Sequence, residues 1–230
     1  MTTRAGRMML QGNPLFRGLA PATLDRIAAL AVQRAYRRDE IVFSAGDPGD
    51  SLIGVVSGRI RISAGNADGR EIFLNIMVPG DTFGEIALLD GGTRTASATA
   101  MEPSELVSIR REPLFALLER EPKSALELLR LCGTRLRWTS GLLEDANFLD
   151  MPARLAKRLL ALSELHGEDK DGGRAVRISQ EELASFLGVS RQAVNEQLQE
   201  WKAKGWVAPG RGTVILHDAA ALRHKVITSR

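Results

Sequence analysis

Ile178-Ser179-Gln180-Glu181-Glu182-Leu183, followed by Gly188-Val189-Ser190-Arg191, is the stretch from which the rest of the chain can be read. Ser179 with Glu182 at the third helical position is a capping box, in which each side chain bonds the other residue's backbone N–H. A short helix follows. Gly188 turns the chain, and Ser190 caps a second helix that runs through Lys204 to a stop at Gly205. Leu183, Leu187, Val189, Val194, Leu198 and Trp201 fall on the inward face, and Arg191, Gln192, Asn195, Glu196 and Gln199 on the outer one. Val207, Gly210-Arg211-Gly212 and Thr213 to Leu216 then read as a small hairpin. Two helices crossing at a tight turn beside a hairpin describe a winged helix-turn-helix, with Arg191 and Gln192 where base-reading side chains sit.

Upstream, Met151-Pro152-Ala153 opens a helix to about His166, since proline suits a first turn, and Gly167 to Gly173 reads as a polar loop. Before it, Pro122 opens a long helix to about Asn147. Ala125, Leu129, Cys132, Leu136, Thr139, Leu143 and Ala146 recur on it at alternating intervals of four and three, a heptad seam. Arg130, Arg135 and Arg137 crowd the flanks. The stripe is therefore narrow, which favours a parallel homodimer over a helix laid on its own domain.

From about Arg37 to Ile109 the chain reads as short strands punctuated by glycine: Ile41 to Phe43, Leu52 to Val56, Arg59 to Ser63, Glu71 to Val78, and a last strand within Thr99 to Ile109 with Pro103 near its start. Asn66-Ala67-Asp68-Gly69 is the expected hairpin turn. Strands this short at regular turn spacing argue for an antiparallel barrel or sandwich rather than a parallel sheet. Leu15 to Ala31 is expected as a helical lead-in with Pro21 in its first turn, and Glu112 to Leu118 as a short helix. The expected class is α+β: a β-roll domain over 1–121, a dimerisation helix over 122–147, and a DNA-binding domain over 148–230.

Composition narrows the chemistry. The 230 residues are 44% hydrophobic and 26% charged, and no run of about 18 apolar residues is present to span a membrane. Met1 to Gln11 lacks the apolar core of a secretory signal. The single Cys132 cannot form an internal disulfide, and it reads as a small buried residue in a reducing compartment. His166, His217 and His224 show no metal-ligand spacing. These features point to the cytoplasm, with no resident metal or cofactor. Residues 1–149 are charge-balanced, so the net charge of +3 arises in the C-terminal part.

Phe83-Gly84-Glu85-Ile86-Ala87-Leu88-Leu89-Asp90-Gly91-Gly92-Thr93-Arg94-Thr95-Ala96 interrupts the strands. Its glycines permit close backbone approach, a helical turn after Gly84 would offer N–H groups, and Arg94 offers a fork for a phosphate. Gly-Glu followed by Arg is common, and chemistry alone reads the segment first as a structural ion pair in a turn. The segment resembles the phosphate-binding cassette of cyclic-nucleotide-binding domains. With Phe148-Leu149-Asp150 at the hinge and the capping-box segment downstream, the order of parts from about Leu15 to Leu216 resembles the Crp/Fnr transcription regulators, and most nearly their cyclic-AMP receptors.

The resemblance implies that Glu85 bonds the ribose 2′-hydroxyl and that Arg94, Thr95 and the backbone at Gly84 and Ala87 hold the cyclic phosphate, with Ile86 in the same turn. It implies that Thr139 and Ser140 read the purine, one from each subunit, and that Arg135 pairs with the cassette glutamate. On DNA it implies base readout by Arg191, Gln192 and Glu196, with Ser179, Ser190 and Asn195 beside them. Glutamine at 192 favours adenine, and the acidic Glu196 stands where the receptors have arginine, so the palindromic operator is expected to differ from theirs. RNA polymerase is the further expected partner. Cyclic AMP is the expected effector. Thr95 keeps cyclic GMP open, and cyclic di-GMP or no effector at all also remain, as does a regulatory subunit of an enzyme. The family's N-terminal cysteine cluster and its haem-ligating Cys/His pair have no counterpart here. No nucleophile–base set stands out, so an enzyme is not expected.

Overall fold

The computed structural model describes residues 4–16, 19–65 and 71–229, so the expected turn Asn66 to Gly69 lies outside the described residues. The chain divides into two compact units, Met1–Leu136 and Arg137–Arg230.

The first unit begins with α1 (Arg4–Gly12), a 3-10 turn (Pro14–Phe16) and α2 (Pro21–Leu30). Eight strands follow: β1 (Val32–Tyr36), β2 (Ile41–Phe43), β3 (Ser51–Ser57), β4 (Ile60–Gly65), β5 (Glu71–Met77), β6 (Thr82–Phe83), then β7 (Ser97–Ala100) and β8 (Ser104–Arg110) beyond the short α3 (Glu85–Asp90). Next come α4 (Arg111–Arg120) and the long α5 (Pro122–Phe148), which runs on into the second unit. The strands form two antiparallel four-stranded sheets, β1-β8-β3-β6 and β2-β7-β4-β5.

The unbroken apolar run in β3 has a structural reason. Ile53 and Val55 pack between the sheets with Ile60, Met77, Phe83, Ala98 and Leu106. Leu52, from the opposite face, joins Leu10, Phe16, Leu24, Ile27, Leu114 and Leu128 beneath the helices. A strand buried on both faces loses the usual alternation. Ala20 precedes α2 with Pro21 in its first turn, as the sequence predicts.

Some elements go beyond the sequence expectations. The segment over Thr99–Ile109 holds parts of two strands: β7 pairs with β2 and β4 in one sheet, whereas β8 pairs with β1 and β3 in the other. Pro103 falls between them, where no ladder N–H is required. The helix α1, anchored by buried Met9 and Leu10, had no counterpart in the sequence reading.

The second unit continues with α6 (Met151–His166), β9 (Glu168–Lys170), β10 (Gly173–Val176), α7 (Gln180–Leu187), α8 (Arg191–Ala203), β11 (Val207–Gly210), β12 (Thr213–Leu216) and α9 (Ala219–Thr228). Its sheet order is β11-β12-β10-β9. The expected loop Gly167 to Gly173 is instead mostly a hairpin, closed by Asp171 and Gly172 at φ +49° and +74°. Positive φ at both turn positions is what joins two twisted strands through a two-residue loop. Leu155, Leu159, Leu183, Val194, Leu198 and Trp201 are buried in this unit.

Candidate functional site

The connection from β6 to β7 carries the cassette. Gly84 adopts a left-handed conformation (φ +83°) and begins α3, and a Cβ there would lie 2.4 Å from Arg94 Nη1. Gly91 ends α3, also left-handed. Backbone bonds then seat Arg94 against the turn after β2: its N–H donates to the Asp47 carbonyl at 2.8 Å, and its own carbonyl accepts from Gly46 N–H at 2.8 Å.

Arg94 is buried. Its Nη1 donates to the Gly84 carbonyl at 2.9 Å, its Nη2 to Ser51 Oγ at 3.0 Å, and its guanidinium lies 4.4 Å from the centre of the Phe43 ring. Nε is buried and has no hydrogen-bond partner. Burial lowers the Arg94 pKa from its ordinary value, opposed by the negative charges of Asp50, Glu85 and Asp47.

Glu85, the first residue of α3, is also buried, and its Oε1 lies 3.6 Å from Arg135 Nε. Arg135 comes from α5 and donates through Nη2 to the Thr82 carbonyl at 2.8 Å. Gly84, Glu85, Ala87, Arg94 and Arg135 thus lie in one unit around α3, while Ile86 and Thr95 are exposed on it. Ala87 is buried so tightly that a Cβ on Gly49 would come within 2.1 Å of its own Cβ. Thr139 and Ser140 are exposed residues of α5 in the second unit. Ser51, Phe43 and the Thr82 carbonyl were not singled out in the sequence. Their contacts with Arg94 and Arg135 join distant strands, for which no local pattern exists.

On α5, Ser124 and Leu128 are buried and Leu131 packs against the helical core, whereas Leu129, Leu136 and Leu143 are 65%, 70% and 67% exposed. Thr139 and Ala146 are exposed with them, and Ala125 and Cys132 are half-buried. The seam and the face that packs within the chain are therefore different sides of one helix. Cys132 is not the core residue expected. Burial and the charge of Glu85 still push its thiol pKa up, which disfavours the reactive thiolate.

In the second unit Ser179 and Glu182 form the capping box reciprocally, at 3.1 and 2.5 Å. Gly188 turns at φ +65°, and Ser190 Oγ accepts from Ala193 N–H at 3.2 Å. Both serine hydroxyls therefore cap helices. Arg191, Gln192 and Glu196 are exposed on α8 and Asn195 is half-buried. Gln192 Nε2 donates to Glu196 Oε1 at 2.8 Å, and Gln180 Nε2 donates to Asn195 Oδ1 at 3.2 Å.

These two arrangements coincide with two family models: the cyclic nucleotide-binding domain matches residues 33–121, and the Crp-like helix-turn-helix domain matches residues 153–225. The chain is 35% identical to the CRP-like cAMP-activated global transcriptional regulator of Mycobacterium tuberculosis, over 92% of this chain and 95% of that one. The chain belongs to the Crp/Fnr family of transcription regulators. It is also 37% identical to the cyclic AMP receptor protein of Thermus thermophilus, over 93% of this chain and 96% of the relative. Among solved structures it resembles the c-di-GMP responsive global regulator CLP of Xanthomonas campestris. That likeness has a TM-score of 0.74 at 29% identity and covers 86% of this chain and 99% of that one. As a Crp/Fnr regulator it couples a cyclic-nucleotide-binding domain to a DNA-binding helix-turn-helix, and the expected class, a β-roll with a long helix and a winged helix-turn-helix, is the one found. No helix among the described residues is long and apolar enough to cross a membrane.

Proposed function

We propose that the protein is a cytoplasmic, homodimeric transcription regulator whose DNA binding is gated by cyclic AMP, and that it is not an enzyme. The observation that carries the ligand reading is Arg94, a buried guanidinium with a buried, unpartnered Nε, fixed beside Gly84 and α3. A buried cation with a donor to spare suits an anion, and a cyclic phosphate supplies both the charge and the acceptor oxygens.

In this reading Arg94, Thr95 and the backbone at Gly84 and Ala87 hold the phosphate beside Ile86, and Glu85 accepts from the ribose hydroxyl while paired with Arg135. Thr139 and Ser140 read the purine, one from each subunit. The exposed seam of Leu129, Leu136 and Leu143 closes against a second copy. Two copies of α8 then present the face of Arg191, Gln192, Asn195 and Glu196 to a palindromic operator, with Ser179 and Ser190 at the helix starts. RNA polymerase is the partner at the promoter. The effector acts by binding the DNA-competent state more tightly. Two of the relatives carry cyclic AMP in their names, which supports the choice.

Calorimetric titration of nucleotide-stripped protein with cyclic AMP, cyclic GMP and cyclic di-GMP tests the effector. Binding of cyclic AMP that is lost in Arg94→Ala, together with cyclic-AMP-dependent operator binding, is the expected result. Preference for either other nucleotide, or operator binding without any, would replace the proposed effector.

A further inference from the structure

On the outer face of α8, the side-chain amides of Gln192 and Asn195 are each already held by a neighbour. Asn195 Oδ1 accepts from Gln180 of α7 at 3.2 Å. Gln192 donates one amide N–H to Glu196 Oε1, one turn further along α8, at 2.8 Å. The second bond bears on which base Gln192 can read.

A glutamine amide has two N–H donors and one carbonyl acceptor, whereas a carboxylate only accepts. Glu196 therefore binds the nitrogen end of the Gln192 amide and not the oxygen end. This fixes the orientation of the amide and uses one of its two donors. What remains is one N–H and one carbonyl, side by side. Adenine presents N7 as acceptor and N6–H as donor in the major groove, which matches that remainder, whereas guanine presents two acceptors, N7 and O6. Reading guanine would take both N–H groups, and one is engaged. The bond also gives the Glu196 carboxylate a donor at a place where phosphates would repel it.

We propose that Glu196 is a positioning residue for Gln192: it orients the amide so that Gln192 selects adenine against guanine, and it reads no base pair of its own. The proposal rests on the DNA-binding reading above and deepens it.

The test is selection of half-sites from a randomised DNA library by the full chain, with and without cyclic AMP. Wild type enriches a half-site, and Gln192→Ala identifies the base pair that Gln192 reads by the preference it loses. Glu196→Ala is expected to lower adenine-over-guanine preference at that same base pair by about tenfold, the order of one bidentate contact. Glu196→Gln keeps an acceptor at the same reach and retains the preference, and adding Glu196→Ala to Gln192→Ala costs nothing more there. Both residues are exposed, so the variants fold. A change at a different base pair in Glu196→Ala, or an intact adenine preference, overturns the proposal and leaves the DNA reading standing. A wild type that enriches no half-site overturns the DNA reading, and the inference with it.

Discussion

Glu85 Oε1 lies 3.6 Å from Arg135 Nε, so the buried start of α3 is tied by charge to the long helix α5. The two side chains are 5% and 24% exposed. Removing one partner of such a pair leaves a buried charge uncompensated, at a cost of about 3–5 kcal/mol. Arg135 is partly wetted, so Arg135→Ala is expected to destabilise the protein by about 3 kcal/mol, toward the low end of that range. The double variant Glu85→Gln/Arg135→Ala should lose less than Arg135→Ala alone, because no unpaired carboxylate then remains. Urea denaturation of the wild type, Arg135→Ala, Glu85→Gln and the double variant measures the coupling, and simple additivity would show that the pair does not act as one unit.

Gly84 gives a second prediction. Its positive φ strains any other residue, and a methyl group there would press on Arg94 Nη1. Gly84→Ala is expected to displace the guanidinium and weaken effector binding by tenfold or more, the loss of one charge-assisted contact. Titration with cyclic AMP measures it, and affinity equal to wild type would separate Gly84 from the ligand site.

What could be read locally in the sequence was the set of elements that announce themselves. Pro21 and Pro152 mark helix starts, and Ser179 with Glu182 marks the capping box, because these signals act within one turn. The strand β9 was missed because Glu168-Asp169-Lys170 is an exposed edge with no apolar face, and its only signal was the Asp171-Gly172 turn. Within the site, the pairing of Glu85 with Arg135 was expected only through the family resemblance. The roles of Ser51 and Phe43 around Arg94 had no signal at all, since strand pairing brings them there from elsewhere in the chain.

The seam predicts a change of mass without a change of fold. Leu136 is 70% exposed in the single chain, so Leu136→Glu should alter the stability of one chain by less than about 0.5 kcal/mol. In a dimer it would set two carboxylates against each other. Analytical ultracentrifugation is expected to show a dimer for wild type and a monomer for the variant, with weakened operator binding. A variant that remains dimeric would move the interface elsewhere.

Arg158 of α6 is a buried cation of the second unit. Its guanidinium lies 4.4 Å from the Phe186 ring centre and 5.0 Å from that of Trp138, and burial pushes its pKa down to about 10 against the pull of Asp145. Keeping that charge costs on the order of 3 kcal/mol. Two desolvated cation–π contacts of about 2 kcal/mol each offset it. Arg158→Met is therefore expected to fall within about 1 kcal/mol of wild type, while Phe186→Ala, which opens a cavity beside the charge, costs about 3–5 kcal/mol. Thermal unfolding of both variants decides this, and a large loss in Arg158→Met would mean that the charge itself holds the unit together.

Asp150 links the end of α5 to the C-terminal helix, and its titration gives a pH prediction. Its carboxylate caps α6 by accepting from Ala153 N–H at 2.8 Å and accepts from Lys225 of α9 at 3.0 Å, while its own N–H donates to Ser229 Oγ at 3.2 Å. Burial alone would raise its pKa, but the Ala153 N–H, Lys225 and Ser229 outweigh it and hold the carboxyl below its ordinary value. A depressed folded pKa stabilises above the unfolded value of about 3.9 and is lost as pH falls through the lower, folded one. Asp150→Asn keeps a good cap and loses the charge, so at neutral pH it should be less stable by about 0.2–1 kcal/mol, the range of a half-exposed ion pair. The gap to wild type should close as the pH drops below that value of about 3.9. Thermal unfolding of the full chain across that range checks the sign. A gap that stays constant into strong acid would mean that the carboxylate acts through its cap geometry and not through its charge on Lys225.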